Sequence, residues 1–264
     1  MKTYRQSFDE LKQKNQGALV AFTVIGDPDY KTSLRIVKTI VDAGADMLEL
    51  GIAFSDPIAD GPTIQSANIR AISSGMNTQR AFEFVNQVRK FTQIPIGFLC
   101  YYNLIYQRGI EKFYDDCKQA GVNSVLVADM PIEEFNEVSK YCKGIDTVFM
   151  ISPLTGDDRI KKIASNVTGF IYAVSRLGVT GAKKELEGST IKLIRRIKSI
   201  TQKPLCVGFG ISSPSQVGEL IKEGANGAIV GSAISSLIEK NLKNKNKMLD
   251  DISSYIKCMK KATE

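Results

Sequence analysis

Two carboxylates lie close together in surroundings suited to proton transfer. Glu49 falls inside Asp46-Met47-Leu48-Glu49-Leu50-Gly51, and Asp60 inside the loop Phe54-Ser55-Asp56-Pro57-Ile58-Ala59-Asp60-Gly61-Pro62-Thr63. If the first run is a strand, Met47 and Glu49 share one face and Leu48 and Leu50 the other. Burial disfavours the charged carboxylate, so the pKa rises toward the range in which it can donate and accept a proton near neutrality. The competing reading is a structural glutamate paired with an internal Arg or Lys, but no neighbouring apolar run carries one. Pro57, Gly61 and Pro62 fix the course of the loop and hence the directions of Asp56 and Asp60. Asp60 is equally placed to cap a helix that begins near Thr63.

The sequence has no histidine and no tryptophan in 264 residues. That excludes Ser–His–Asp and Cys–His nucleophiles, histidine-ligated zinc or haem, and imidazole bases. Carboxylates, lysines, tyrosines and thiols remain for acid–base work. Cys100, Cys117, Cys142, Cys206 and Cys258 are widely spaced with no CxxC pair. They read as reduced thiols of a cytosolic protein, and no metal site is expected.

Three glycine-rich corners stand out: Leu177-Gly178-Val179-Thr180-Gly181, Gly208-Phe209-Gly210-Ile211-Ser212-Ser213 and Gly231-Ser232-Ala233. Brought together, their backbone N–H groups and a following helix N-terminus would cradle a phosphate. Phe22, Leu99, Leu126, Ala128, Ile151, Tyr172 and Phe209 fall in or just beyond apolar runs. They read either as core or as walls for a flat aromatic ligand.

Positioning these residues requires a repeated unit. Eight short apolar runs alternate with helix-period segments: Ala18–Ile25, Asp46–Leu50, Ile96–Cys100, Ser124–Ala128, Thr147–Ile151, Gly169–Val174, Leu205–Gly208 and Gly227–Val230. Spread over 264 residues they give 33 per unit, a natural strand–loop–helix–loop length. Continuous apolar runs fit parallel strands covered on both faces. Gly44-Ala45-Asp46, Gly121-Val122-Asn123 and Gly224-Ala225-Asn226 each close a helical segment and open a strand, with glycine suited to a left-handed turn. No linker divides the chain. The expectation is a single-domain α/β (β/α)8 TIM barrel over residues 1–264 with an N-terminal helix extension and its chemistry at the C-terminal strand ends. An open doubly wound sheet fits less well, because no GxGxxG follows the first strand.

The formal charge of +7 owes much to lysines near the C-terminus, Lys240, Lys243, Lys245, Lys247, Lys257, Lys260 and Lys261, which read as a solvated helix face. Nucleic-acid module patterns are absent. No run reaches the ~18 apolar residues of a membrane span, and residues 1–17 lack a signal-peptide core. The expected location is cytoplasmic.

Leu50 to Gln65 closely resembles the signature of the tryptophan synthase α chain. So do Val127-Ala128-Asp129-Met130-Pro131, Ser175 to Gly181, Gly208 to Ser212 and Gly231-Ser232-Ala233-Ile234, in order over nearly the whole chain. The resemblance implies retro-aldol cleavage of indole-3-glycerol phosphate to indole and glyceraldehyde 3-phosphate, without cofactor or metal in this chain. It assigns Glu49 as general acid/base and Asp60 as partner of the indole N–H, with Thr180 positioning Asp60 and Tyr172 in support. Gly181, Gly210, Gly231 and Ser232 match the phosphate site. Phe22, Leu99, Leu126, Ala128, Ile151 and Phe209 match the indole pocket. The implied partner is a pyridoxal-phosphate-containing β chain in an αββα assembly, faced by Asp56, Asp129 and Pro131.

Two departures are visible: Ala53 stands where the family usually has proline, and the corner Ile151-Ser152-Pro153-Leu154-Thr155 is less typical. Residues 176–188 are expected to form a lid. Alternatives are another phosphate-binding barrel lyase or isomerase, and a non-catalytic barrel that activates the β chain. A Schiff-base aldolase would need a strand-end lysine, and none of the eight runs has one.

Overall fold

The computed structural model describes residues 1–175 and 188–264. Helix α1 (Tyr4–Gln13) opens with a capping box made by Thr3 and Gln6. Then follow β1 (Ala18–Val24), α2 (Tyr30–Asp42), β2 (Met47–Gly51), α3 (Pro62–Ser73), α4 (Thr78–Val88), β3 (Ile96–Cys100), α5 (Tyr102–Arg108), α6 (Ile110–Ala120) and β4 (Ser124–Val127). A 3-10 turn (Ile132–Glu134), α7 (Asn136–Ser139), β5 (Asp146–Thr147), β6 (Phe149–Ile151), α8 (Asp157–Asn166) and β7 (Ile171–Val174) continue the chain. It ends with α9 (Gly188–Ile200), β8 (Leu205–Gly208), α10 (Pro214–Lys222), β9 (Gly227–Val230), α11 (Ser232–Lys240) and α12 (Lys245–Lys261).

All strand pairs are parallel, in the order β5-β4-β3-β2-β1-β9-β8-β7-β6. The two ends of this sheet are consecutive in the chain, with only Val148 between them, so the sheet is a TIM barrel nearly closed on itself. The expected single strand Thr147–Ile151 is therefore divided. Its first part pairs β4 over two residues and its second pairs β7 over three. Side chains supplement one backbone bond at the break, Gly169 N–H to the Thr147 carbonyl at 3.1 Å: Thr147 N–H donates to Thr168 Oγ1 at 2.9 Å, and Thr168 N–H donates to Thr147 Oγ1 at 3.1 Å.

The glycine turns open strands as expected, with φ of +102° at Gly44, +82° at Gly121 and +97° at Gly224. Each is followed two residues later by an acceptor that pins the start of the neighbouring strand. Asp46 Oδ2 takes Leu19 N–H at 2.8 Å, Asn123 Oδ1 takes Ile96 N–H at 2.9 Å, and Asn226 Oδ1 takes Leu205 N–H at 3.0 Å. A cation reaches each acceptor in turn, from Lys260, Arg89 and Lys198. Thr168 does the same for Thr147, so four such pins lie along the barrel floor.

Helix α1 packs against this floor. Tyr4 and Phe8 meet Phe170 with ring centroids 5.3 and 6.3 Å apart, and Ser124 Oγ donates to Tyr4 Oη at 3.0 Å. A side chain at Gly97 would collide with both hydroxyls. On α12, Met248, Ile252, Ile256 and Met259 form the buried stripe. Burying each contributes about 1.5–3 kcal/mol. Lys245 and Lys247 are exposed and pair with Asp29 and Asp251, whereas the part-buried Lys260 pairs with Asp46. Among the described residues, no helix is long and apolar enough to cross a membrane.

Candidate active site

Strand β2 aims Glu49 into the barrel, flanked in register by Phe22 on β1 and Gly97 on β3. The residue is 4% exposed, and its Oε2 makes no hydrogen bond. Burial, reinforced by the charge of Asp60, pushes its pKa up to about 8. No Arg or Lys is in the described lining around it, which disfavours the reading of a glutamate paired with an internal cation.

Asp60 is 8% exposed, and burial raises its pKa to about 6 against two hydrogen bonds that favour its ionised form. Tyr101 Oη donates to Oδ2 at 3.1 Å, and Asn68 Nδ2 approaches the same oxygen at 3.5 Å. Both partners also fix the loop. Tyr101 Oη accepts Ala59 N–H at 3.1 Å, its ring stacks on Phe54 at 5.0 Å, and Asn68 Oδ1 accepts Phe54 N–H at 3.0 Å. The expectation that Asp60 caps a helix does not hold: the N-cap of α3 is Gly61, with Pro62 at its first turn and no side-chain cap.

Between the acids lies a cavity lined by Phe22, Glu49, Asp60, Ile64, Leu99, Tyr172, Phe209, Gly210, Ile211, Ile229, Gly231 and Ser232. A glycine is required at 231, where a Cβ would come within 2.8 Å of the Phe22 ring. Tyr172 stands edge-on to Phe209 at 5.8 Å. Burial, together with the charges of Glu49 and Asp60, holds its phenol well above the ordinary range. Ser232 begins α11, so a helix N-terminus borders the cavity and suits an anion.

Nine residues expected at the site are thus brought together. Leu126, Ala128 and Ile151 are not in the described lining. Ile151 is fully buried and pairs with Ala173, one residue out of phase with the lining residue Tyr172. Asp56, Asp129 and Pro131 are exposed on loops after β2 and β4, and Asp129 Oδ1 accepts Tyr102 N–H at 2.7 Å. Ala53 is buried beside β2. Thr180, Gly181 and the expected lid, apart from Gly188, lie outside the described residues. No lysine is in the described lining, which removes the Schiff-base alternative there. Among the described residues, no cluster of three or more His, Cys, Asp or Glu side chains is arranged to hold a metal ion.

Sequence reasoning missed Tyr101 and Asn68, although each left a signal. Tyr101 immediately follows a strand, where barrel chemistry sits. Asn68 is the polar member of the otherwise apolar stripe Ile64, Ala67 and Ala71.

Residues 8–264 match the family profile described as tryptophan synthase alpha chain. The chain is 47% identical over 254 residues to the tryptophan synthase alpha chain of Methanoregula boonei, covering 96% of each. It is 46% identical over 259 residues to that of Methanothermobacter thermautotrophicus, covering 97% of this chain and 96% of the relative. Among solved structures, a chain of the Pyrococcus furiosus tryptophan synthase a2b2 complex superposes with a TM-score of 0.86 at 38% identity, covering 92% of this chain and 98% of the other. With profile and relatives agreeing over nearly its full length, the chain belongs to the tryptophan synthase alpha chain family.

Proposed function

We propose that Glu49 and Asp60 carry the proton transfers of the reaction that family membership gives this chain, the carbon–carbon lyase step of tryptophan biosynthesis. In that reaction indole-3-glycerol phosphate is cleaved to indole and glyceraldehyde 3-phosphate. Protonated near neutrality, Glu49 donates to indole C3 and becomes a carboxylate. Asp60, ionised at the same pH, accepts a hydrogen bond from the indole N–H and stabilises the positive charge left on the ring. Glu49 then takes the proton of the side-chain hydroxyl. That oxygen becomes the aldehyde carbonyl, the C–C bond breaks, and its electron pair restores the aromatic ring. Protons and electrons balance over substrate and enzyme without a cofactor or metal in this chain.

Phe22, Leu99, Ile64 and Phe209 supply apolar walls for the ring, while Gly210, Gly231 and Ser232 receive the phosphate. Tyr172 packs where it faces both acids. The exposed Asp56, Asp129 and Pro131 mark the side turned to a pyridoxal-phosphate-containing β chain in an αββα assembly. A relative of known structure forms an a2b2 complex, which supports that partner. The place of action is the cytoplasm.

The observation that carries this reading is the unpartnered Glu49 Oε2 inside a cavity shared with Asp60. Indole release by Glu49→Gln tests it: turnover near that of the unmodified chain would exclude Glu49 as the acid/base. Slow cleavage by the isolated chain separates a lyase from a non-catalytic activator, which would produce changes only on the β side.

A further inference from the structure

Phe209 and Gly210, between β8 and α10, have φ of +67° and +86°. The left-handed region is unfavourable for a residue with a Cβ, so Phe209 stays there only if its peptide groups are held from outside. Ser175, directly after β7 and 4% exposed, provides the hold. Its Oγ donates to the Phe209 carbonyl, and its N–H donates to the Gly208 carbonyl at 3.0 Å. Ser175 is held in turn: Thr190 Oγ1, in the first turn of α9 and 1% exposed, donates to the Ser175 carbonyl at 2.8 Å.

The C=O of Phe209 and the N–H of Gly210 belong to one planar trans peptide and point in opposite directions. Turning that carbonyl toward Ser175 therefore turns the Gly210 N–H away from it, and Gly210 lines the cavity. We propose that Ser175 is a positioning residue for the substrate phosphate, setting the direction of the Gly210 N–H through the Phe209 carbonyl, with Thr190 holding Ser175 in place. The assignment rests on the lyase reading above. Neither Ser175 nor Thr190 is in the described lining of the cavity, so both act through the corner they hold.

The test compares the unmodified chain with Ser175→Ala, Ser175→Thr and Thr190→Val. Three quantities are read: calorimetric affinity for glycerol 3-phosphate, KM and kcat for indole-3-glycerol phosphate, and cleavage of the same substrate without its phosphate. Loss of one orienting hydrogen bond corresponds to about a tenfold weaker glycerol 3-phosphate affinity in Ser175→Ala. KM should rise in step while kcat changes less, and the phosphate-free substrate should lose much less than the phosphorylated one. Ser175→Thr keeps the hydroxyl and should recover most of the affinity. Thr190→Val is nearly isosteric and should show a smaller loss of the same kind, which keeps the test open if Ser175→Ala does not fold.

Equal losses on both substrates, or unchanged glycerol 3-phosphate affinity in both Ser175→Ala and Thr190→Val, would overturn the role given to Ser175. An unmodified chain that neither releases indole nor binds glycerol 3-phosphate would overturn the lyase reading, and this assignment with it.

Discussion

The barrel wall is not uniform. From β9 through β1 and β2 to β3 the ladders run over four or five residues, whereas β4 meets β5 over two and β6 meets β7 over three, on either side of Val148, and β8 meets β9 over two. The helical layer differs in the same way. Thirteen-residue α2 covers the first region, while a 3-10 turn and the four-residue α7 are all that connect β4 to β5. Glu49, Phe22 and Gly231 belong to the long ladders. The exposed Asp129, Pro131 and Leu154 belong to the loops of the divided wall. The acid that transfers protons thus lies on a long ladder, while Tyr172 on β7 and Gly210 after β8 border short ones, and the thin wall carries exposed loop residues.

The largest expected effect strikes the laddered side. Glu49→Gln should lower indole release roughly a hundredfold to ten-thousandfold, with the fold retained by circular dichroism. It should also change stability against pH. The folded pKa of about 8 exceeds the ordinary 4.5, so the folded chain keeps a proton that the unfolded chain has released. That contribution is fully present below 4.5 and lost as pH rises through about 8. Urea titrations across this window should show a shallower decline for Glu49→Gln.

Next in size is the buried pair between Asp27, after β1, and Arg70 on α3, with oxygen–nitrogen distances of 2.6 and 3.0 Å. Arg70→Ala leaves a fully buried carboxylate without its cation and should cost about 3–5 kcal/mol by denaturant unfolding. On the thin wall, the exposed pair of Arg159 and Glu133 at 2.8 Å provides the contrast. Arg159→Ala should leave the unfolding midpoint nearly unchanged, since solvent screens an exposed pair. Equal losses at the two places would break the comparison.

The pH profile of indole release gives a third measure. Activity should fall as Asp60 gains a proton near pH 6 and as Glu49 loses one near pH 8. Tyr101→Phe removes a hydrogen bond that favours ionised Asp60, so the acid limb should move upward, by about one unit or less. An unmoved limb would show that another group governs it.

The eight units and the inward turn of Glu49 were legible because strand alternation and unit length are local properties. The break at Val148 was not, because Thr147–Ile151 is short and mostly apolar and carries no phase of its own. The place of Ile151, buried outside the described lining, was illegible for the same reason. Asp60 was visible as an acid on a stiff loop, but its direction depends on Tyr101 and Asn68, which lie 41 and 8 residues away. Such contacts arise only when β3 and α3 close on the loop.

The four acceptors on the barrel floor join strands in pairs: β1 with β2, β3 with β4, the divided strand with β7, and β8 with β9. The molecule is thus a ring of four stapled quarters, each closed at the end away from the chemistry.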